Sequence, residues 1–383
     1  MSFENSSSED RTRAAVSLDA VRSNYSVLRK TFPGKKIMSV LKADAYGHGI
    51  SGLAAVCNEL TDQFAVASVE EAARLRAAGA DKPVLLFGPV PDGRIAEAAA
   101  LGLTFSVGSR DYAEKLRKVL EEKGLRADCQ IKLDTGFNRT GFRWRCGEDN
   151  GQSFEAISRL FSLPCLTVTG IYTHLPVPES DVPEDVAFTE GQLRAFRDAV
   201  DRLLAAGLDP GLRHVFSTGG ALAQKGELFD MVRVGMPVYG QCDSLAHYHS
   251  LGLRQALRWT ANLAGITELA AGESVGYGRT FTASRPTGLG VVSVGYADGY
   301  RRNYQGLEVL CGGRRVPTVG RVCMDFLMVD LTDVPEARVG DEVVLLGSQG
   351  SEEITAIEIA AARDSTCGEV TAAISGRVPR YYL

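Results

Sequence analysis

Apolar and polar positions along the chain fall into two textures. Between about Val16 and Tyr248, short apolar runs rich in β-branched residues recur: "IMSVL", "FAVAS", "PVLLF", "LTFSV", "CQIKL", "TVTGIYT", "HVFS" and "MVRVGM". Between most of them lie stretches such as "LDAVRSNYSVLRKTF" and "RDYAEKLRKVLEEKG", whose leucines, alanines and valines repeat at helical spacing. Strand–helix alternation predicts parallel strands joined by right-handed crossovers. About eight such runs predict a closed (β/α)8 barrel of TIM type rather than an open doubly wound sheet. After about Ser250 the pattern changes. "GVVSVGYADGY", "LEVLCGG", "RRVPTVG", "FLMVDL" and "DEVVLLG" read as short strands between glycine-bearing turns, with Gly312–Gly313 as a tight hairpin. One helix is expected at "ITAIEIAAARDS". The expected organisation is an α/β barrel over residues 14–250 and a mainly-β C-terminal domain over 251–383.

Composition narrows the class. The 383 residues suit one large domain plus a smaller one, and 45% hydrophobic with 23% charged residues is ordinary for a globular protein. A net charge of −5 offers no basic surface for nucleic acid or anionic lipid. The opening "MSFENSSSEDRT" is polar and lacks the apolar core of a signal peptide or anchor. No run approaches the roughly 20 apolar residues of a membrane span. Eight cysteines scattered without CxxC pairs argue for reduced thiols over disulfides or zinc. The cytoplasm is the expected compartment, and no metal is expected.

A barrel places its active site at the carboxyl ends of its strands. Reading each strand to its end yields a consistent polar set. The first ends at Lys42, with Tyr46 nearby in "KADAYGHG". The fifth carries Lys132 and leads to Arg139. The sixth ends at His174, and the seventh at Ser217 and Thr218 before Gly219–Gly220. The eighth carries Arg233, Gly235 and Tyr239. Glycine-and-hydroxyl turns after strands seven and eight commonly bind phosphate through outward backbone N–H groups. A phosphate pocket opposite a strand-end lysine fits pyridoxal 5'-phosphate, whose aldehyde a lysine amine can bind covalently.

Eight motifs then converge on one family. "VLKADAYGHG", "KLDTGFNRTGF", "GIYTHL", "MVRVGMPVYG", "SVGYGRTF", "VGYADGYRR", "VGRVCMDFLMVDL" and the terminal "RVPRYYL" run in order from residue 40 to the last residue. The chain resembles the alanine racemases over essentially its whole length. That resemblance implies a pyridoxal-phosphate-dependent isomerase interconverting L- and D-alanine, supplying D-alanine for peptidoglycan. It implies Lys42 and Tyr277 as the two catalytic bases, one to remove and one to return the Cα proton on opposite faces. His174 and Arg233 are then candidate cations beside Tyr277, since a free tyrosine ionises only near pH 10. Tyr46, Thr218, Gly235 and Met236 would hold the phosphate, and Arg233 the pyridine nitrogen. Arg139, Met324 and Tyr296 would meet substrate or line its entrance. Lys132 resembles a lysine often carbamylated, with an unmodified lysine salt-bridged to Asp134 or another acid as the alternative. The family also implies a homodimer with shared active sites.

One position departs from the pattern. In some members a tyrosine immediately precedes the terminal "RVPR"; here it is Gly376. Serine or broader amino-acid specificity therefore stays open, as does, on a related barrel, a carrier or regulatory protein holding the same cofactor. Cys323 reads equally as a packed residue. His214, His247 and His249 carry no assigned chemistry.

Overall fold

The computed structural model describes residues 10–223, 226–242 and 245–383. Most of the polar opening stretch lies outside the described residues. Eight barrel strands form: β1 (Lys36–Val40), β2 (Gln63–Val66), β3 (Val84–Leu86), β4 (Leu103–Val107), β5 (Ala127–Asp134), β6 (Leu166–Tyr172), β7 (Leu212–His214) and β8 (Met231–Val234). Seven coincide with expected runs; the seventh strand in order, β7, lies earlier than "HVFS" and shares only His214 with it, with Ser217 in an isolated bridge and Thr218 opening a helix. They pair in parallel in the order β8-β1-β2-β3-β4-β5-β6-β7. A single bridge, Ser217 to Arg233, brings the two ends of the sheet together into a nearly closed barrel. β2, β3, β4 and β8 are buried at every position. Helices cover one face and interior side chains fill the other, which is why these runs show no polar alternation.

The second sheet is antiparallel for the most part. Its principal strands are β9 (Leu257–Leu269), β10 (Thr287–Val292), β11 (Glu308–Cys311), β12 (Arg314–Val319), β13 (Leu327–Asp330) and β14 (Glu342–Gln349). β14 pairs with both β11 and β9, so these six strands close into a ring. Gly312–Gly313 forms the expected β11–β12 turn, with Cys311 opposite Arg314. Inside, Val275, Leu289, Val319 and Met328 pack together, with Phe281 and Cys323 against them.

Contacts divide the chain into two units whose edges differ from the expected boundary near residue 250. One comprises Tyr25–Ala45 and Ile50–Val238; the other comprises the residues up to Asn24, Tyr46–Gly49 and Tyr239–Leu383. The N-terminal strand Thr12–Val16 explains part of the difference. It lies between β9, antiparallel, and Arg380–Tyr382, parallel. Trp259 donates its indole N–H to the Thr12 hydroxyl at 2.9 Å. Its partners lie more than 240 residues away in sequence, Thr12 opposite Ala261 and Ala14 opposite Arg380, so local pattern could not place it. No helix among the described residues is long and apolar enough to cross a membrane.

Candidate active site

Three adjacent strands, β6, β7 and β8, build the interior of the barrel mouth. Arg233 on β8 points inward and is 5% exposed. Its Nη1 donates to the His214 carbonyl at 3.1 Å and to His214 Nδ1 at 3.0 Å. Its Nη2 donates to the Val215 and Thr173 carbonyls at 2.6 and 2.9 Å and to His174 Nδ1 at 3.2 Å. An arginine can only donate, so both Nδ1 atoms must be acceptors and both imidazoles carry their proton on Nε2. His214 Nε2 accordingly donates to Gln130 Oε1 at 2.9 Å. Gly170 makes room for that amide: a Cβ there would lie 2.9 Å from the Gln130 side chain. His214 also stacks on Tyr172 at 4.9 Å, and the Tyr172 hydroxyl meets Ser106 Oγ at 2.5 Å.

Positive charge accumulates here. Burial and then Arg233, with weaker contributions from Lys132, Arg139 and Lys42, push the His174 pKa down to about 3. Burial drives His214 well below its ordinary value. Burial and Arg233 lower Lys132 to about 7, with Asp134 opposing. Arg233 itself falls to about 10, mainly through burial, and remains a cation at neutral pH. The expectation of a cationic His174 is therefore corrected: its ring is neutral.

Lys132 sits 6% exposed, its Nζ on the Leu133 carbonyl at 3.2 Å and 4.8 Å above the Tyr172 ring. The alternative salt bridge to Asp134 does not form. Asp134 instead accepts the N–H groups of Gly136, Asn138 and Arg139, and pairs with Arg145 at 3.3 Å. Those bonds shape the loop that carries Arg139, whose guanidinium lies 4.2 Å over the Phe137 ring. Neither Lys132, Arg139 nor Arg233 meets a carboxylate among the described residues. Thr218 is buried, and its hydroxyl has no partner among the described residues. The mouth therefore carries a net positive field.

Lys42 stands at the rim on an unusual turn. Ala43, Asp44, Ala45 and Tyr46 have φ of 53, 54, 55 and 53°, a full left-handed turn without glycine. Each such residue costs roughly 1–2 kcal/mol. Carboxylates hold it in place: Asp44 Oδ1 accepts the Ile50 N–H at 3.0 Å and Arg74 at 3.1 Å, and Glu71 Oε1 accepts the Ala43 N–H at 2.6 Å. Burial of the amine, then Arg139, lowers the Lys42 pKa, while Glu71 raises it.

The turn continues into Gly47 and Gly49, at φ of 82 and 89°. Arg380 donates to the Gly47 carbonyl at 3.1 and 3.2 Å, and the Tyr382 hydroxyl donates to that of His48 at 3.2 Å. A Cβ on Gly47 would lie 2.0 Å from the Thr371 carbonyl oxygen, which is why that position is glycine. His48 stacks 4.4 Å from Tyr239, which Tyr46 also meets at 5.6 Å.

On the β unit, Tyr277 opens a short turn and is 65% exposed. A Cβ on the adjacent Gly278 would lie 3.1 Å from Arg321 Nη1, so that guanidinium flanks the tyrosine's turn. Tyr296 and Met324 are brought together by two backbone bonds, Tyr296 N–H to the Cys323 carbonyl at 3.0 Å and Ala297 N–H to the Met324 carbonyl at 3.1 Å. Both side chains are exposed, as is Phe326. Gly235 and Met236 follow β8 directly. Gly376 is exposed, and a Cβ there would meet nothing within 4 Å.

Sequence reasoning missed three contributors. His214 had no assigned role, yet it is the second imidazole on Arg233. Gln130, one turn of the pleat below Lys132, was readable only as an unexplained polar residue in an apolar strand. Glu71 carried a visible signal, the S-x-x-E helix start at Ser68.

The fold and this mouth define a class of protein: a (β/α)8 barrel followed by a β domain, with a rim lysine above a layer of unpaired cations. A family model described as "Alanine racemase, N-terminal domain" matches residues 16–243, and "Alanine racemase, C-terminal domain" matches residues 256–382. The chain belongs to the alanine racemase family. It is 37% identical to the alanine racemase of Symbiobacterium thermophilum over 97% of each chain. It is 35% identical to alanine racemase 2 of Caldanaerobacter subterraneus subsp. tengcongensis, covering 97% of this chain and 95% of that one. Among solved structures, alanine racemase of Clostridium difficile 630 superposes with a TM-score of 0.90 at 30% identity, covering 98% and 96%. That of the D-cycloserine-producing Streptomyces lavendulae gives 0.89 at 33%, covering 97% of each.

The neutral imidazoles make a pH prediction. A histidine whose folded pKa lies at about 3, below its ordinary 6.5, binds more protons when unfolded. Stability should therefore fall with acid between these values, by about 1.4 kcal/mol per pH unit for each such ring. Guanidinium unfolding of the full chain across that range should show the slope, and His174→Asn should flatten it. An unchanged slope in that variant would show that His174 is cationic in the fold.

Proposed function

We propose that the protein is an alanine racemase that works in the cytoplasm with pyridoxal phosphate covalently held by Lys42. The observation that carries this reading is the rim lysine on its clamped turn, within the field of a carboxylate-free cation layer. The residues fit the cofactor. The orphaned Thr218 hydroxyl is a buried donor waiting for an acceptor such as phosphate. The buried Arg233 keeps Nε as a donor not used by any hydrogen bond among the described residues.

Thr218, Tyr46 and the backbone at Gly235 and Met236 would hold the phosphate, and Arg233 the pyridine nitrogen. Bound pyridoxal phosphate supplies an electron sink for the substrate Cα. Arg233 can donate to that ring but cannot take its proton up, which tempers the sink and favours prompt return of the proton over side reactions. Lys42 moves the Cα proton on one face and Tyr277 on the other. Arg139 binds the substrate carboxylate, with Tyr296 and Met324 shaping the entrance. His174 orients through its bond to Arg233 and contributes no charge.

Lys42→Ala should abolish racemisation and the borohydride-trapped cofactor adduct. Tyr277→Phe should keep the cofactor but lose roughly 10²–10⁴ in rate, the usual contribution of a general base. A loss below about tenfold would make Tyr277 structural. Scoring L-alanine beside L-serine by chiral separation decides specificity; the open space at Gly376 favours including serine, and equal kcat/KM would define a broader racemase.

Lys132 is proposed to carry a carbamate. Carbon dioxide adds only to a neutral amine, and a pKa of about 7 makes that form abundant at neutral pH. The new anion would face the uncompensated Arg139. Labelled bicarbonate should give a Lys132 carbamate signal that grows as pH rises through about 7. A signal absent at mildly alkaline pH leaves Lys132 an unmodified amine.

The acting form is proposed to be a homodimer with shared sites. Tyr277, Tyr296, Met324 and Phe326 are 65, 41, 53 and 43% exposed in the single chain, an apolar group that a second copy would cover. Mixing inactive Lys42→Ala with inactive Tyr277→Phe under subunit exchange should restore activity, since one site of each mixed dimer then carries neither defect. Verified exchange without recovery places each site within one chain.

A further inference from the structure

Glu71 is the third residue of the helix that starts at Val69, and its N–H donates to the N-cap Ser68 hydroxyl at 3.2 Å. In a capping box, the glutamate at this position turns back to the N-cap N–H. Here its carboxylate is used differently. Oε2 accepts the Ala67 N–H at 2.8 Å, one residue before the cap. Oε1 reaches across to the Ala43 N–H at 2.6 Å. Ala43 is the residue after Lys42 and the first of the four left-handed residues. Glu71 is 8% exposed. A buried carboxylate is costly unless its oxygens are hydrogen-bonded, and both of these are.

We propose that Glu71 is the positioning residue of the catalytic lysine: by gripping the Ala43 amide it holds the left-handed turn and fixes where the Lys42 amine stands. This inference rests on Lys42 being the cofactor's lysine. "ADAY" holds no glycine, and of its residues only Asp44 is of a type that tolerates positive φ, so a turn of four such residues needs grips from outside it. Asp44 supplies one through Ile50 and Arg74. Glu71 supplies the grip nearest the lysine. Its charge also matters to the amine. Burial and Arg139 lower the Lys42 pKa and Glu71 raises it. An ordinary helix cap would have neither effect.

The two readings can fail separately. Borohydride reduction and peptide mapping of the wild-type protein first locate the cofactor; an adduct elsewhere than Lys42 overturns the lysine assignment irrespective of Glu71. Then Lys42 acylation is followed against pH in the full chain freed of cofactor, together with hydrogen exchange at the Ala43 amide. Glu71→Gln should move the Lys42 labelling midpoint to lower pH. It should speed Ala43 exchange by on the order of tenfold or more, the loss of one charge-assisted bond. In the holoenzyme it should cut kcat by about 10²-fold with little change in KM, the effect of a displaced reacting group. Ser68→Ala removes only the cap; it should lower Tm and leave labelling and Ala43 exchange as in wild type. If Glu71→Gln changes neither readout, or Ser68→Ala reproduces both, Glu71 is a helix cap and the proposal is wrong. Should Glu71→Gln fail to fold, the wild-type chain decides: an Ala43 amide exchanging at the unprotected rate overturns the clamp.

Discussion

A guanidinium buried in the barrel without a carboxylate sets the terms for the whole mouth. Arg233 has three backbone carbonyls and two imidazole nitrogens for company. Burying an unpaired ion costs several kcal/mol, and only hydrogen bonds to oriented dipoles make it tolerable. Because arginine does not give up its proton near neutrality, its neighbours adjust instead. Both histidines are forced neutral with a fixed tautomer, and Lys132 is brought down towards neutrality. The result is a layer of positive potential in the barrel mouth. Burial first, and this one residue on β8 second, thereby lower the pKa values of Lys132 on β5, His174 just beyond β6 and His214 on β7.

Around that layer the protein positions groups in two ways. Arg233, Lys132 and the histidines stand on or just beyond strands, where the sheet holds them. Lys42 instead stands on a left-handed turn that no local preference supports, gripped by Glu71 and Asp44 at its start. The glycines that follow are fixed by Arg380 and Tyr382 from the end of the chain. Arg380 also caps the carbonyls of Ile374 and Ser375, so one side chain joins the closing helix to that turn. The terminal "RVPRYYL" belongs to the family pattern for a physical reason: it is part of the wall behind Gly47–Gly49.

The β unit presents its chemistry differently. Tyr277, Tyr296, Met324 and Phe326 are exposed on loops rather than buried in a mouth. Asp298, fully buried, accepts the Gly295 N–H at 2.9 Å within the Tyr296 loop and pairs with Arg11, which also donates to the Asp325 carbonyl at 3.2 Å beside Met324 and Phe326. Rigid loops with exposed apolar tips are what a docking surface requires, and they sit well with the two-copy arrangement proposed for catalysis.

Much of this was legible in the sequence. The alternation of β-branched runs with helical periods reported eight barrel strands, because burial on both faces leaves a continuous apolar signature. Polar residues at strand ends stood out against those runs, which is how Lys42, Lys132, His174, Thr218 and Arg233 could be read directly. Tertiary structure decided what local pattern cannot encode. Thr12–Val16 joined the C-terminal sheet because its hydrogen-bonding partners are distant in sequence. "ADAY" looks helical and is held left-handed by contacts distant in sequence: Glu71 accepts the Ala43 N–H, and its own Asp44 accepts from Ile50 and Arg74. The charge of His174 depended on three-dimensional neighbours: a histidine at a strand end is an acid or a base by residue type, and neutral here because it is buried and Arg233 donates to it.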